Sequence, residues 1–227
     1  MKKKHETKLK SHIRENESLT ANWEKKILLW LAERMPAWIT PDILTTIGFI
    51  AAIMIFVSYL LSNYHPAFLW LASLGFIINW FGDSLDGTLA RYRHIERPKF
   101  GYYVDHTIDA IGETLIICGL GISPYVSLNV ALIALIGYFL LSIQTFISTY
   151  VVGVFKISYS KMGPTEVRII LILINTIMFF SEINSIRILS LNITYFDMIL
   201  IISTFIMVIF YITQSIKIAS DLLKSGE

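Results

Sequence analysis

Charge is what this sequence has least of. Only 16% of its 227 residues are Asp, Glu, Lys or Arg, where a soluble domain of that length carries about 25%. Three stretches, 43–61, 126–155 and 198–216, hold no charge at all. Each is too long for a core strand and long enough for a helix to cross a bilayer, which takes about 20 apolar residues. A single cysteine, Cys118, excludes an internal disulfide and says nothing about redox compartment. No internal repeat and no low-complexity segment is visible, so solenoid and linker architectures drop out. A cleavable leader is not expected either, because the first apolar run, 27–31, is short and lacks a small-residue cleavage site.

Three further segments read as interrupted spans. Residues 67–90 are apolar until Asp83, residues 102–122 carry Asp105, Asp109 and Glu113, and residues 164–181 have Glu166 and Arg168 in their first turns. The expected fold is therefore an all-α integral membrane protein with six transmembrane helices and an N-terminal amphipathic interfacial helix. Residues 1–20 would be a basic polar tail, 21–40 a juxtamembrane amphipathic helix, and 41–227 the six-helix transmembrane domain. Trp23, Ile27, Leu31 and Met35 recur every four residues, which suits a helix in the interface or one packed on the end of the bundle. Pro36 should end that helix, and Pro41-Asp42 should open the first span.

The basic residues orient the chain. All but one of the 19 Lys and Arg fall on one side of the six expected spans, the exception being Arg187. The positive-inside rule puts both termini, and the ends of spans two and three, in the cytosol. In a bacterial cell this would be the inner membrane. The formal net charge of +2 is small, and no nucleic-acid partner is expected.

Four carboxylates near the cytosolic ends of spans two and three carry the chemistry. Asp83 and Asp86 are three residues apart, Asp105 and Asp109 four, so each pair shares a helix face. The short connection makes the two helices antiparallel neighbours whose faces can meet. Carboxylates at membrane depth pair, ligate metal or line a polar cavity. Four together cannot all stay ionised without cations, and oxygen-only donors favour Mg²⁺ or Mn²⁺. Gly87, Ala90 and Gly101 let a ligand or another backbone come close, and Arg91 lies within reach of a phosphate. Carboxylates, metal, arginine and glycines together describe a diphosphate site, in which cations offset charge developing at phosphorus.

Asp83-x2-Asp86-Gly87-x2-Ala90-Arg91 followed by Gly101-x3-Asp105-x3-Asp109 resembles the signature of the CDP-alcohol phosphotransferases, also called CDP-alcohol phosphatidyltransferases. Pro41-Asp42-Ile43-Leu44-Thr45 is similar to that family's Pro-Asn-x-hydrophobic-Thr opening of span one. The likeness runs from about residue 36 to residue 218. Two features depart from it: nine residues separate Arg91 from Gly101, and Asp42 stands where Asn is common. The resemblance implies that Asp83, Asp86 and Asp105 are the core ligands of two Mg²⁺ or Mn²⁺ ions. Asp109 would be a further ligand or the base that deprotonates the attacking hydroxyl. Gly87, Ala90, Arg91 and Gly101 would hold the CDP moiety, and CMP would leave as the new phosphodiester forms. The partners implied are a CDP-alcohol donor and an alcohol acceptor, one of them a lipid; dimerisation is common in the family.

His106 adjoins Asp105 in a pair that resembles the choline and ethanolamine branch, where it is a candidate base, though it could simply pack near the headgroups. Glu113 lies deeper on the Asp109 face and either meets the acceptor or is a protonated structural group. Arg168 opens span five within Gly163-Pro164-Thr165-Glu166-x-Arg168; it either binds an acidic group at the pocket mouth or snorkels to the interface. Gln144-Thr145-Phe146 and the Thr165-Glu166 stretch also resemble the aminoalcohol branch. Against this, Lys156, Lys161 and Arg168 at the mouth suit a phosphorylated acceptor. On that ground CDP-diacylglycerol ranks ahead of a CDP-aminoalcohol as donor.

Rival readings fare worse. A prenyltransferase would need a second aspartate-rich motif, and spans four to six have none. A cation transporter or channel would need polar residues continuing past Glu113. A calcium loop counted from Asp83 would place His94 where a bidentate Glu belongs.

Overall fold

The computed structural model describes residues 13–15, 18–156, 162–182, 185–188 and 191–226. Among the described residues there are seven helices: α1 (Ala21–Arg34), α2 (Pro41–Leu61), α3 (Phe68–Tyr92), α4 (Pro98–Ile122), α5 (Leu128–Val152), α6 (Pro164–Phe180) and α7 (Tyr195–Ser225), with four short strands outside them. β1 (Ile13–Glu15) pairs in parallel with β2 (Val154–Lys156), and β3 (Ser185–Ile188) forms a hairpin with β4 (Leu191–Thr194).

The helix ends follow local chemistry. Thr40 caps α2 by accepting from the Ile43 N–H at 3.3 Å, with Pro41 in the first turn where its missing N–H costs nothing. Pro98 and Pro164 open α4 and α6 in the same way. After α3 the chain turns through His94 at φ +54°, and α5 ends on Gly153 at φ +79°, where its N–H returns to Thr149. Thr194 and Asp197 cap α7 reciprocally, and the same Asp197 carboxylate accepts from the Ser127 N–H at 2.8 Å, tying the start of α7 to the start of α5.

Among the described residues, four helices are long and apolar enough to cross a membrane: α2, α3, α5 and α7. The packing puts α2 in the middle. It lies against both α3 and α4, while α3 also packs on α6 and α1, and α5 packs on α4 and α7. The α2–α3 contact is backbone to backbone. A Cβ on Gly82 would stand 2.5 Å from the Gly48 nitrogen and 2.6 Å from the Leu44 carbonyl oxygen. Deeper in, a buried polar chain joins three helices: Tyr59 Oη donates to Asn175 Oδ1 at 2.8 Å, and Asn175 Nδ2 donates to Ser73 Oγ at 3.2 Å. In an apolar surround such groups have no water to turn to, so they pair with each other.

The sequence expects α3 and α4 to be antiparallel neighbours whose faces can meet. Asp83 of α3 and Asp105 and Asp109 of α4 do line one cavity, and α2 packs against both helices beside it.

The N-terminal helix differs in detail. Leu28 and Ala32 are its buried residues, packed with Ile39, Leu44, Leu85 and Leu89. Trp23 and Ile27, two members of the four-residue repeat, are exposed, as is Trp30.

Candidate functional site

The cavity between α3 and α4 encloses about 100 Å³. Thr45 and Gly48 of α2 form its roof; Asn79 and Asp83 come from α3, and Asp105, Asp109 and Glu113 from α4. Tyr138 of α5 and Arg168 of α6 close it. Three of the four aspartates thus line one space. The fourth, Asp86, is turned toward α2: its Oδ2 accepts from Thr45 Oγ1 at 2.5 Å and its Oδ1 from the Gly87 N–H at 2.5 Å. The i, i+4 spacing brings Asp105 and Asp109 together to the cavity, while Asp83 and Asp86, three apart, divide between the cavity and α2, which supplies its third wall.

Asp83 is not a bare carboxylate. Arg168 Nη2 donates to its Oδ2 at 2.5 Å, and Arg168 Nε donates to Asn79 Oδ1 at 2.8 Å. Asn79 is itself oriented by a 2.9 Å bond from its Nδ2 to the Gly48 carbonyl. The remaining nitrogen, Nη1, is buried with no hydrogen-bond partner among the described residues. Arg168 was expected at the mouth of the pocket. It is a wall of the pocket, 14% exposed, because the cavity aspartates offer its charge a better partner than the interface does.

Asp105, His106 and Asp109 form a second cluster, with one ligand atom from each lying within 4.8 Å of the others. The imidazole is held between two rings, edge-on to Tyr102 with centroids 4.2 Å apart and tilted against Phe146 at 5.0 Å. Glu113 accepts a hydrogen bond from Tyr138 Oη, which is the structural alternative for that residue. It nevertheless borders the cavity.

The donor set suits a hard divalent cation. Three cavity aspartates face one arginine, so negative charge is left over, and every carboxylate donor is oxygen. The cavity has room for ions and phosphate oxygens. The glycines of the motif lie on the last turns of α3 and the first turn of α4. Gly101 is exposed and a Cβ there would meet nothing within 4 Å, whereas one on Gly87 would lie 3.3 Å from Arg91 Nη1. Arg91 is exposed, and its Nη2 donates to Thr88 Oγ1 at 3.2 Å. Ala90 closes the same turn, its carbonyl accepting from the Ile95 N–H. The Lys156 side chain and all of Lys161 lie outside the described residues.

Sequence reasoning missed Asn79, Tyr138 and Glu24. The last is on α1, and its Oε1 accepts from Trp80 Nε1 at 2.8 Å and from Thr165 Oγ1 at 2.5 Å. No local signal marks these residues, since each is defined by a partner far away in the chain. The two departures from the motif meet in space: Arg97, in the long connection after Arg91, pairs with Asp42.

A family model described as CDP-alcohol phosphatidyltransferase matches residues 38–210. Cholinephosphotransferase 1 of Danio rerio is 27% identical over 196 residues, which is 78% of this chain and 49% of that protein. Archaetidylinositol phosphate synthase of Pyrococcus horikoshii is 35% identical over 104 residues, 46% of this chain and 52% of its own length. Phosphatidylinositol phosphate synthase of Cutibacterium acnes is 32% identical over 108 residues, 47% of this chain and 49% of its own. The chain spans about half the length of the curated relatives it matches.

Proposed function

The chain belongs to the CDP-alcohol phosphatidyltransferase family, and on that premise we propose that it moves a substituted phosphate group from a CDP-alcohol to an acceptor hydroxyl in a membrane. The observation that carries this reading is the convergence of Asp83, Asp105 and Asp109, from two separate helices, on one cavity that also holds an arginine. In the reaction the acceptor oxygen attacks the phosphorus that bears the donor alcohol. The bond to the CMP phosphate breaks, CMP leaves, and the acceptor's proton passes to the protein.

Asp83, Asp86, Asp105 and Asp109 would hold two Mg²⁺ or Mn²⁺ ions. Bound there, the cations would neutralise charge on the diphosphate as the in-line displacement proceeds. The rest falls to the chain itself. Gly87, Ala90, Arg91 and Gly101 leave an open course for the CDP moiety along the outer turns of α3 and α4. Thr45 orients the Asp86 carboxylate through its 2.5 Å bond. Asp109 or His106 takes the acceptor proton: Asp109 faces the cavity, and His106 is its neighbour within the same cluster.

The chain reads as six spans. α4 has 25 residues and about 37 Å of length at 1.5 Å per residue, and it runs from the end of α3 to the start of α5. Its three acidic residues, not its length, set it apart from the apolar spans. α6, with 17 residues, is the shortest. On this reading α1 lies along the headgroups with Trp23, Ile27 and Trp30 outward, and both termini and the carboxylate pocket are cytosolic.

For the donor, the structure shifts the balance of argument. The case for a phosphorylated acceptor rested on Arg168 and two lysines. The Arg168 charge is engaged by Asp83, and the lysines lie outside the described residues. The likeness that extends over 78% of the chain is to a cholinephosphotransferase. A CDP-aminoalcohol donor with diacylglycerol as acceptor is therefore the favoured reading. The second reading, phosphatidyl transfer from CDP-diacylglycerol, is supported by the higher identities of the two inositol phosphate synthases over the part that they match. Purified protein supplied with labelled CDP-choline or CDP-ethanolamine and diacylglycerol should make labelled lipid and free CMP. CMP release from CDP-diacylglycerol alone, with a polar alcohol, would reverse the order; no CMP from any CDP-alcohol would end both.

A further inference from the structure

The family match starts at residue 38, so α1 and the segment before it stand outside it. That segment nevertheless contacts α3 and the start of α6, two helices that contribute residues to the cavity, at three points. Glu24 Oε1 accepts from Trp80 Nε1 of α3 at 2.8 Å and from Thr165 Oγ1 of α6 at 2.5 Å. Thr20 donates through both its N–H and its Oγ1 to Glu166 Oε1, at 2.7 and 2.8 Å. The other oxygen of Glu166 accepts from the Gly163 N–H at 2.9 Å, holding the first turn of α6, and Glu166 is itself buried, 6% exposed. A Cβ on Gly163 would lie 3.2 Å from that of Ser18, so the two segments are in close contact there.

The spacing of these contacts is what matters. Trp80 stands three residues before Asp83, and Thr165 three residues before Arg168. α3 and α6 run antiparallel, as the Arg168–Asp83 and Asn175–Ser73 pairs show, so Trp80 and Thr165 lie about one turn to either side of the Arg168–Asp83 level, and the Glu24 carboxylate links the two helices across it. We propose that Glu24 is a positioning residue: by clamping Trp80 to Thr165 it fixes α6 against α3, and so fixes where the Arg168 guanidinium stands relative to Asp83 in the cavity. The N-terminal helix is then part of the catalytic assembly and not merely a membrane contact. This rests on the transferase reading, because it assigns Glu24 an effect on turnover.

Both donors need an acceptor oxygen, and neither needs a charge. Glu24→Gln preserves that oxygen and Glu24→Ala removes it. The experiment uses the full chain, purified in lipid discs, with spin labels at exposed Lys25 on α1 and exposed Val167 on α6 in a Cys118→Ser background. Glu24→Ala should broaden the label–label distance distribution. It should also lower kcat about tenfold while leaving the donor KM within about twofold, as expected when geometry rather than binding is lost. Glu24→Gln should restore both. In an Arg168→Gln background, Glu24→Ala should cost less than about twofold more, because two changes that act through one group do not add. An unchanged distance distribution, a Gln variant as impaired as the Ala variant, or a full extra loss in the Arg168→Gln background would each overturn the proposal. If the wild type releases no CMP from any CDP-alcohol, the transferase reading falls, and the distance distribution still decides whether Glu24 clamps the helices.

Discussion

Arg168 on α6 donates to Asp83 on α3 at 2.5 Å, across 85 residues of sequence. The pair sits inside the cavity at the expected metal site, with side-chain exposures of 14% and 21%. A guanidinium there does two things. It offsets one of the crowded carboxylates, and with Nε on Asn79 it locks the α3 and α6 walls together. Nη1 remains buried and unpartnered among the described residues, so one donor is left for whatever enters.

Removing that fork should cost more than charge alone. Arg168→Gln is expected to lower kcat/KM by about 100-fold, an effect of the size seen when a positioned donor at a reacting phosphate is lost. Arg168→Lys should recover little of it, since a single ammonium cannot bond Asn79 and Asp83 in the same geometry. Steady-state assays of CMP release check both; a lysine variant with wild-type kinetics would show that charge suffices.

The four aspartates should differ from ordinary surface acids in their response to metal. Asp83→Asn, Asp86→Asn and Asp105→Asn are each expected to reduce turnover to near background while the protein stays in the membrane. Chelation of divalent cations should abolish wild-type activity, and Mg²⁺ or Mn²⁺ should restore it. Full activity in any one variant removes that residue from the ligand set.

The membrane character and the aspartate motif were legible because they are local. Uncharged runs of about 20 residues have few readings, and Asp83, Asp86, Asp105 and Asp109 declare themselves by spacing along two helices. What could not be read was that α2 packs against both α3 and α4. Its contact with α3 runs through the Gly48–Gly82 approach, and two glycines 34 residues apart carry no mark of meeting. Arg168 was visible as a charge at the start of a span, but its partner was not. Glu24 carries no local signal, and only Trp80 and Thr165 give it a role.

The identity of the base is open to a direct comparison. If Asp109 accepts the acceptor's proton, Asp109→Asn should lower kcat by at least about 100-fold, within the range for general-base loss, with little change in donor KM. His106→Gln should then cost less. The reverse ranking passes the role to the imidazole, which Tyr102 and Phe146 already hold in place.

Gly82 offers a test of the fold that does not depend on activity. A methyl group there would collide with the α2 backbone at Gly48 and Leu44, and backbone cannot swing aside as a side chain can. Gly82→Ala is expected to destabilise the protein by about 1–3 kcal/mol, the usual cost of overpacking, read as a lower unfolding temperature in detergent. Gly101→Ala, in open space within α4, should not lower that temperature and should raise it slightly, as Ala favours the helix over Gly.

The sidedness of the pocket can be measured in intact cells. With α2 to α7 as six spans, the α2–α3 connection at Asn63 and the C-terminal end of α7 at Lys224 lie on opposite faces of the membrane. Cysteines placed singly at Lys3, Asn63 and Lys224, in a Cys118→Ser background, should therefore separate under an impermeant thiol reagent. Asn63 should be labelled from outside, and Lys3 and Lys224 only after the membrane is opened. The pocket lies toward the end of α3 that carries Arg91 and Arg93, away from Asn63, so the same result would place it where soluble cytidine nucleotides are found. Labelling of Lys224 in sealed cells would mean an even number of crossings after Asn63 where six spans require an odd one, and α4 or α6 would have to give up its span.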